Sequence, residues 1–172
     1  SELVTIGAKS GVGKSALAVR IAINMYKADK KILIVSREMS KKQVAERILL
    51  AHSGISKDQY ENRDLNDAQW VRIVETMEAF SGEGIIIDDK ISTIQEIKQA
   101  IRRSKPDVLI VDYVQLLTPS NPKDSRERQV AEISRELKKM TSDFDMIVIQ
   151  LTQLAEKGIG NYRPSGESYT RE

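Results

Sequence analysis

The sequence predicts an α/β fold in which a mainly parallel central sheet carries helices on both faces, and three observations predict it. Short β-branched apolar runs alternate with longer amphipathic stretches, the signature of repeated strand-helix units. Each run is nearly all apolar, as a strand covered on both faces requires. A length of 172 residues with 40% hydrophobic side chains is enough for one packed domain and too short for two.

Taken in chain order, Leu3 to Ile6 is the first strand. Ser15 to Met25 follows as a helix, with Leu17, Ile21 and Met25 on one face and Ala18 and Ala22 beside them. Ile32 to Val35 is the second strand, and Ser40 with Gln43 has the spacing of a capping box that opens a helix through Val44, Ile48 and Leu49. Trp70, Ile73, Val74 and Met77 recur at helical spacing and read as a core-facing stripe in preference to a base-stacking platform. Ile85 to Ile87 is the third strand, Thr93 with Glu96 caps a helix ending near Arg103, and Val108 to Val111 is the fourth strand. Val130, Ile133, Leu137 and Met140 mark the last clear helix before a fifth strand at Met146 to Ile149. Segments 118–125 and 158–166, rich in proline, glycine, serine and asparagine, read as loops. Both follow strands carrying polar motif residues, on the side where an open parallel sheet binds its ligand.

Composition excludes several classes. With 27 basic and 25 acidic side chains there is no global field of the kind that marks a nucleic-acid coat or a membrane-surface protein, so any DNA contact must come from local loops. The absence of cysteine removes disulfides and thiolate metal sites. No apolar run approaches the roughly 20 residues of a membrane span, and no signal segment opens the chain, which reads as cytoplasmic. The chain begins at Ser1 directly before a strand, as a piece excised from something longer would. His52 has no ligands at metal-binding spacing, and the basic pairs at 41–42 and 102–103 read as solvated helix faces.

The strongest motif is Ala8-Lys9-Ser10-Gly11-Val12-Gly13-Lys14-Ser15, followed by Ala16, between a strand and a helix. There, successive backbone N–H groups can wrap a phosphate, the glycines permit turns that side chains block, and the helix N-terminus adds positive potential. Lys14 reaches the β- and γ-phosphates of ATP in such a loop, and the Ser15 hydroxyl ligates Mg²⁺. A lysine in the first helical turn opposes the helix dipole at about 0.3–1 kcal/mol, which a bound anion explains. The strict pattern begins with glycine; here that position is Ala8, with Gly7 displaced by one.

Asp112 ends an apolar strand in the form of a Walker B carboxylate, suited to hold Mg²⁺ opposite Ser15. Glu38 lies just past the second strand, where a carboxylate can orient and deprotonate the water that attacks the γ-phosphorus or can simply sit favourably before the next helix. Gln153 lies beyond the fifth strand, where an amide can sense the γ-phosphate and pass its presence to the next loop. A competing reading takes Gly11, Gly13 and Ala16 as a dinucleotide fingerprint with Glu38 as the ribose-binding acid.

Together these segments resemble the RecA-like ATPase domain of DnaB-type replicative DNA helicases, over nearly the whole chain. The alanine-started loop from Ala8 to Ser15 is similar to that family's Walker A variant; Ser36-Arg37-Glu38-Met39-Ser40 resembles its Ser-Leu-Glu-Met-Ser motif, with arginine in place of leucine at 37. Asp112 to Leu117 is similar to its Walker B element, Arg126 to Arg135 to the helix that follows, and Leu151-Thr152-Gln153-Leu154 to its Leu-Ser-Gln-Leu motif. Arg163-Pro164 and Arg171-Glu172 resemble the start of a DNA-contacting segment, with altered spacing.

The resemblance implies a single RecA-like P-loop NTPase domain over 1–172 that lacks the final strands, with Glu38 as catalytic carboxylate and Gln153 as sensor. It implies ATP and Mg²⁺ as cofactors, a homo-hexamer in the full-length protein, single-stranded DNA as the track, and primase and a helicase loader as partners. Lys123, Arg126, Lys157, Arg163, Arg171 and Glu172 are the candidate DNA-contacting residues. A basic finger from a neighbouring subunit, on a hairpin beyond Glu172, is expected to complete the site, so that the isolated piece binds nucleotide but turns it over slowly. A different RecA-like ATPase, such as a recombinase or loader, is the alternative.

Overall fold

A computed structural model of the protein describes residues 1–82 and 84–154. Five strands, β1 (Glu2–Ala8), β2 (Ile32–Ser36), β3 (Ile85–Asp88), β4 (Val108–Asp112) and β5 (Ile147–Gln153), form one sheet of order β1-β5-β4-β2-β3. Every pairing in it is parallel. The helices are α1 (Lys14–Lys27), α2 (Lys41–Ser53), α3 (Lys57–Glu61), α4 (Asp67–Ala79), α5 (Ile94–Ser104) and α6 (Arg126–Asp143), with a 3₁₀ turn at Val114–Leu116. All strands predicted from the apolar runs are present.

Alternation along the strands divides the interior in two. Ile34, Ile110, Ile149 and Leu151 face α1 and α2, packing against Ala18, Ala22, Ile23 and Val44. Leu33, Val35, Leu109, Val111 and Val148 face α5 and α6, packing against Ile97, Ile101, Ile133, Leu137 and Met140. β2 and β4 are buried at every position, as central parallel strands should be. β1 departs from the two-sided expectation: it lies at the sheet edge, is largely exposed, and leaves Val4 41% accessible.

Two helix faces also differ from expectation. In α1 the buried stripe is Ala18, Val19, Ala22 and Ile23, and Leu17 is 49% exposed. Small residues at 18 and 22 let the helix axis approach the sheet, and that turns Leu17 outward. In α4 only Ile73 and Thr76 are buried, while Trp70 is 45% and Met77 60% exposed. The helix packs on α2 through a small cluster of Leu50, Ile55 and Ile73, and Trp70 and Val74 lie off that contact, so the core assignment of Trp70 is corrected. His52 sits edge-on to the Phe80 ring with its Nδ1 3.2 Å from Thr76 Oγ1. Among the described residues, no helix is long and apolar enough to cross a membrane.

The dinucleotide-enzyme reading fails on topology. That fold sets its second strand beside the first, whereas here β5 and β4 stand between β1 and β2. Glu38, past β2, is therefore not at the edge of the glycine loop's own strand pair.

Candidate nucleotide-binding site

All strands run the same way, so their carboxyl ends form one rim, and the motif residues lie on it. Ala8 ends β1, pairs in register with Gln153 of β5, and accepts a hydrogen bond from Leu154 N at 3.1 Å. Val111 of β4 pairs with Gln150 of β5, and Asp112 pairs with Ser36 of β2. Four adjacent strands thus bring the glycine loop, Gln153, Asp112 and the Glu38 turn to one edge.

The loop between β1 and α1 turns on Gly11 (φ 76°) and Gly13 (φ 98°), both in the left-handed region that favours glycine. Gly13 is the N-cap of α1, with no side-chain cap and no acidic residue in the first turn. The N-termini of α2 to α6 are each capped by a side chain, from Ser40, Ser56, Asn66, Thr93 and Ser125. The first N–H groups of α1 are therefore left for an outside acceptor. Lys14 is buried, and its Nζ donates to the Lys9 carbonyl at 3.0 Å. Lys9, Ser10 and Val12 complete the turn, and Ser15 and Ala16 open the helix behind it.

Asp112 is only 3% exposed, and its Oδ1 has no hydrogen-bond partner. Burial holds its carboxyl above the ordinary range and the charge of Glu38 pushes the same way, while a hydrogen bond from the Ser15 hydroxyl and the charges of Lys14 and Arg47 oppose them. An uncompensated buried carboxylate oxygen beside a serine hydroxyl is a pair of hard donors, which suits a cation that keeps most of its water, as Mg²⁺ does. Ser15, Ser36, Met39 and Asp112 line a narrow pocket behind these oxygens.

Glu38 is exposed at the tip of a short turn. Ser36 Oγ donates to the Met39 carbonyl at 2.8 Å and accepts from its N–H at 3.2 Å, closing the turn from within. Arg37 N donates to the Asp112 carbonyl at 2.7 Å, joining the exit of β2 to that of β4. The Arg37 guanidinium reaches the Asp89 carbonyl at 2.9 Å, a tie that leucine at this position could not make.

The segment 118–125 has neither helix nor strand, as its composition suggests, and carries Lys123, whose N–H donates to Asn121 Oδ1 at 3.1 Å. Arg126 begins α6 and turns its guanidinium inward, onto the Gln115 carbonyl and onto Gln129 Oε1 at 3.3 Å. Lys157, Arg163, Arg171 and Glu172 lie outside the described residues, as does the 158–166 loop. Sequence reasoning gave no role to Ser36, Gln115 or Gln129. Gln115 was the most findable, an amide inside the apolar run from Val114 to Leu117.

Comparison with known proteins finds residues 1–162 matched by the family model of the DnaB-like helicase C terminal domain. The replicative DNA helicase DnaC of Bacillus subtilis (strain 168) is 35% identical over 162 residues, covering 90% of this chain and 36% of that protein. The replicative DNA helicase DnaB of Geobacillus stearothermophilus is 34% identical over the same length, with 90% and 36% covered. Among solved structures, one described as an ATPase domain superposes with a TM-score of 0.83 at 32% identity, covering 90% of this chain and 57% of that one. A DnaB-like replicative helicase described with its interactions with primase gives 0.88 at 31% identity, over 97% and 42%. This chain thus spans little more than a third of the two full-length helicases, 36% of each.

Proposed function

Because this chain belongs to the DnaB-like helicase C-terminal domain family, we propose that it is the RecA-like motor domain of a replicative DNA helicase, hydrolysing ATP with Mg²⁺ to move along single-stranded DNA and separate duplex. The observation that carries the reading is the buried Asp112 carboxylate with an unpartnered oxygen, beside Ser15 and at the same rim as the uncapped α1 N-terminus.

In this reading the N–H groups of residues 9 to 16 wrap the β- and γ-phosphates. The Lys14 ammonium exchanges the Lys9 carbonyl for phosphate oxygens, a stronger, charge-assisted bond. Ser15 Oγ and Asp112 hold Mg²⁺, which supplies positive charge to the phosphates as they separate. Glu38 takes a proton from the attacking water, so that ATP and water give ADP and phosphate. Gln153, in register with the first residue of the loop, senses the γ-phosphate.

The full-length protein is expected to work as a ring of six with strand phosphates held in loops without regard to sequence. Lys123, in the 118–125 segment, and Arg126, at the start of α6, are the candidates for these contacts among the described residues, and Lys157, Arg163, Arg171 and Glu172 are the further candidates. Primase is the first partner to test, since one similar helicase is described with it, and a loader the second.

The test is Glu38→Gln in the full-length protein. Nucleotide affinity should hold while turnover falls by about 10²–10⁴. Unslowed turnover sinks the general-base assignment, and the absence of any stimulation of the wild type by oligo-dT sinks the motor reading.

A further inference from the structure

Outside the candidate nucleotide site, a chain of side-chain hydrogen bonds runs away from Gln153 through two amides and a guanidinium. Gln115, in the 3₁₀ turn after β4, clamps the main chain at the end of β5. Its Nε2 donates to Thr152 Oγ1 at 2.6 Å and to the Gln153 carbonyl at 3.1 Å, and its Oε1 accepts from Gln153 N at 3.3 Å. Donor meets acceptor on both sides, so the amide has one orientation. The Gln115 carbonyl accepts from Arg126, whose other nitrogen donates to Gln129 Oε1 at 3.3 Å. Gln129, buried on α6, then donates to the Pro122 and Asp124 carbonyls at 3.2 and 2.9 Å. The path is contiguous: Gln153, Gln115, Arg126, Gln129, loop.

We propose that Gln115 is a positioning residue for Gln153, and that through Arg126 and Gln129 it links the state of the nucleotide site to the conformation of the 118–125 loop, so that γ-phosphate and single-stranded DNA are read through one set of hydrogen bonds. The inference rests on the motor reading and deepens it.

Arg126 is the exchangeable member. It is exposed, sits in the first turn of α6 where the helix dipole disfavours a cation, and has neutral partners. A strand phosphate offers its guanidinium a bidentate, charge-assisted bond that a carbonyl cannot match. Drawing Arg126 outward takes a donor from the Gln115 carbonyl and loosens the turn that holds Gln153. By linkage, a nucleotide that fixes Gln153 must then change strand affinity by the same factor that the strand changes nucleotide affinity. Gln129 sets the other end, because it alone among these side chains bonds the loop backbone directly.

The experiment uses the full-length protein, wild type and Gln115→Leu, each saturated in turn with ATPγS and with ADP. The dissociation constant of a fluorescent oligo-dT is read by anisotropy, and the quantity compared is the ratio between nucleotide states. A wild-type ratio of about tenfold, within the usual range of coupling between sites, should fall below about twofold in Gln115→Leu. A purely structural role would weaken strand binding alike in both states and leave the ratio standing. Gln129→Leu cuts the chain at its loop end with the clamp intact and should give the same collapse, which keeps the idea testable if Gln115→Leu does not fold. A folded variant of either kind that retains the wild-type ratio overturns the inference and leaves the motor reading untouched. A wild type that fails to bind oligo-dT, or binds it equally with both nucleotides, overturns the coupling at its source, and absent binding removes the motor reading as well.

Discussion

Replacing Asp112 with asparagine asks whether the fold keeps a carboxylate at a cost in order to hold a cation. The side chain is 3% exposed and its Oδ1 is unpartnered. Its folded pKa is raised, first by burial, with the Glu38 charge adding to that and Ser15, Lys14 and Arg47 opposing it. A carboxyl whose folded pKa exceeds its ordinary 3.8 costs stability at every pH above the folded value. That cost shrinks as pH falls through the folded value, and vanishes below 3.8, where both states are protonated. Asparagine keeps an oxygen for Ser15 and removes the charge, but it leaves an amide group without an acceptor, a loss of about 1–3 kcal/mol. An uncompensated buried charge costs about 3–5 kcal/mol, and Lys14 with Ser15 already offsets part of it. The net expectation is a gain of about 1 kcal/mol at pH 7, or about 2–4 °C in Tm for a domain of this size. Thermal unfolding of the full-length protein in EDTA should therefore show Asp112→Asn melting above wild type at pH 7, with the gap closing toward pH 4. Adding Mg²⁺ with ATPγS should stabilise the wild type far more than the variant. A variant that melts below wild type in EDTA at pH 7, or gains as much from the metal nucleotide, refutes the reasoning.

Two further titrations follow from the structure. Glu136 accepts from Lys139 and from Lys98, the latter at 2.8 Å between α5 and α6, and these bonds hold its carboxyl at about 2, below the ordinary 4.5. Its contribution is full above pH 4.5 and is lost as pH falls toward about 2, so Glu136→Gln should cost about 0.5–1 kcal/mol in urea unfolding at pH 7 and less at each step below 4.5. His52 is held below its ordinary 6.5 by burial first and then by Lys27 and Arg20, so the fold disfavours its protonated form. Stability should fall as pH drops from above 6.5 through the lowered folded value, and His52→Gln should flatten that slope; an unchanged slope would mean another group titrates there.

What the sequence made legible follows from where the information lies. Strands buried on both faces declare themselves by composition, and β2 and β4 do so in full. The capping boxes at Ser40 and Thr93 form because the N-cap side chain and the N3 side chain satisfy each other's backbone amides, a purely local exchange. The same local signal was available at Ser56 with Gln59 and at Asn66 with Gln69, which cap α3 and α4. The candidate site was legible for a related reason: its motifs sit at strand ends, with Ala8, Asp112 and Gln153 closing β1, β4 and β5 and Glu38 two positions past β2, and a parallel sheet gathers those ends on one side.

Helix faces are a different matter, because periodicity gives the direction of an apolar stripe but not what stands opposite it. Leu17 and Trp70 both lie on such stripes, and both are exposed. In α1 the sheet selects the face with the smallest side chains, since close approach buries more of Val19 and Ile23 than a ridge of leucine would allow. In α4 the neighbour is one helix, so only Ile73 and Thr76 find cover, and the bulkier residues around them stay outside. The Gln115 chain was hidden for the same reason. Its members come from β5, the turn after β4, and α6, three segments separated by up to 38 positions in sequence; an amide among apolar neighbours announces a partner without saying which. Chemistry anchored to strand ends can therefore be read one residue at a time, while any property that depends on what packs across an interface becomes readable only once the sheet order is known.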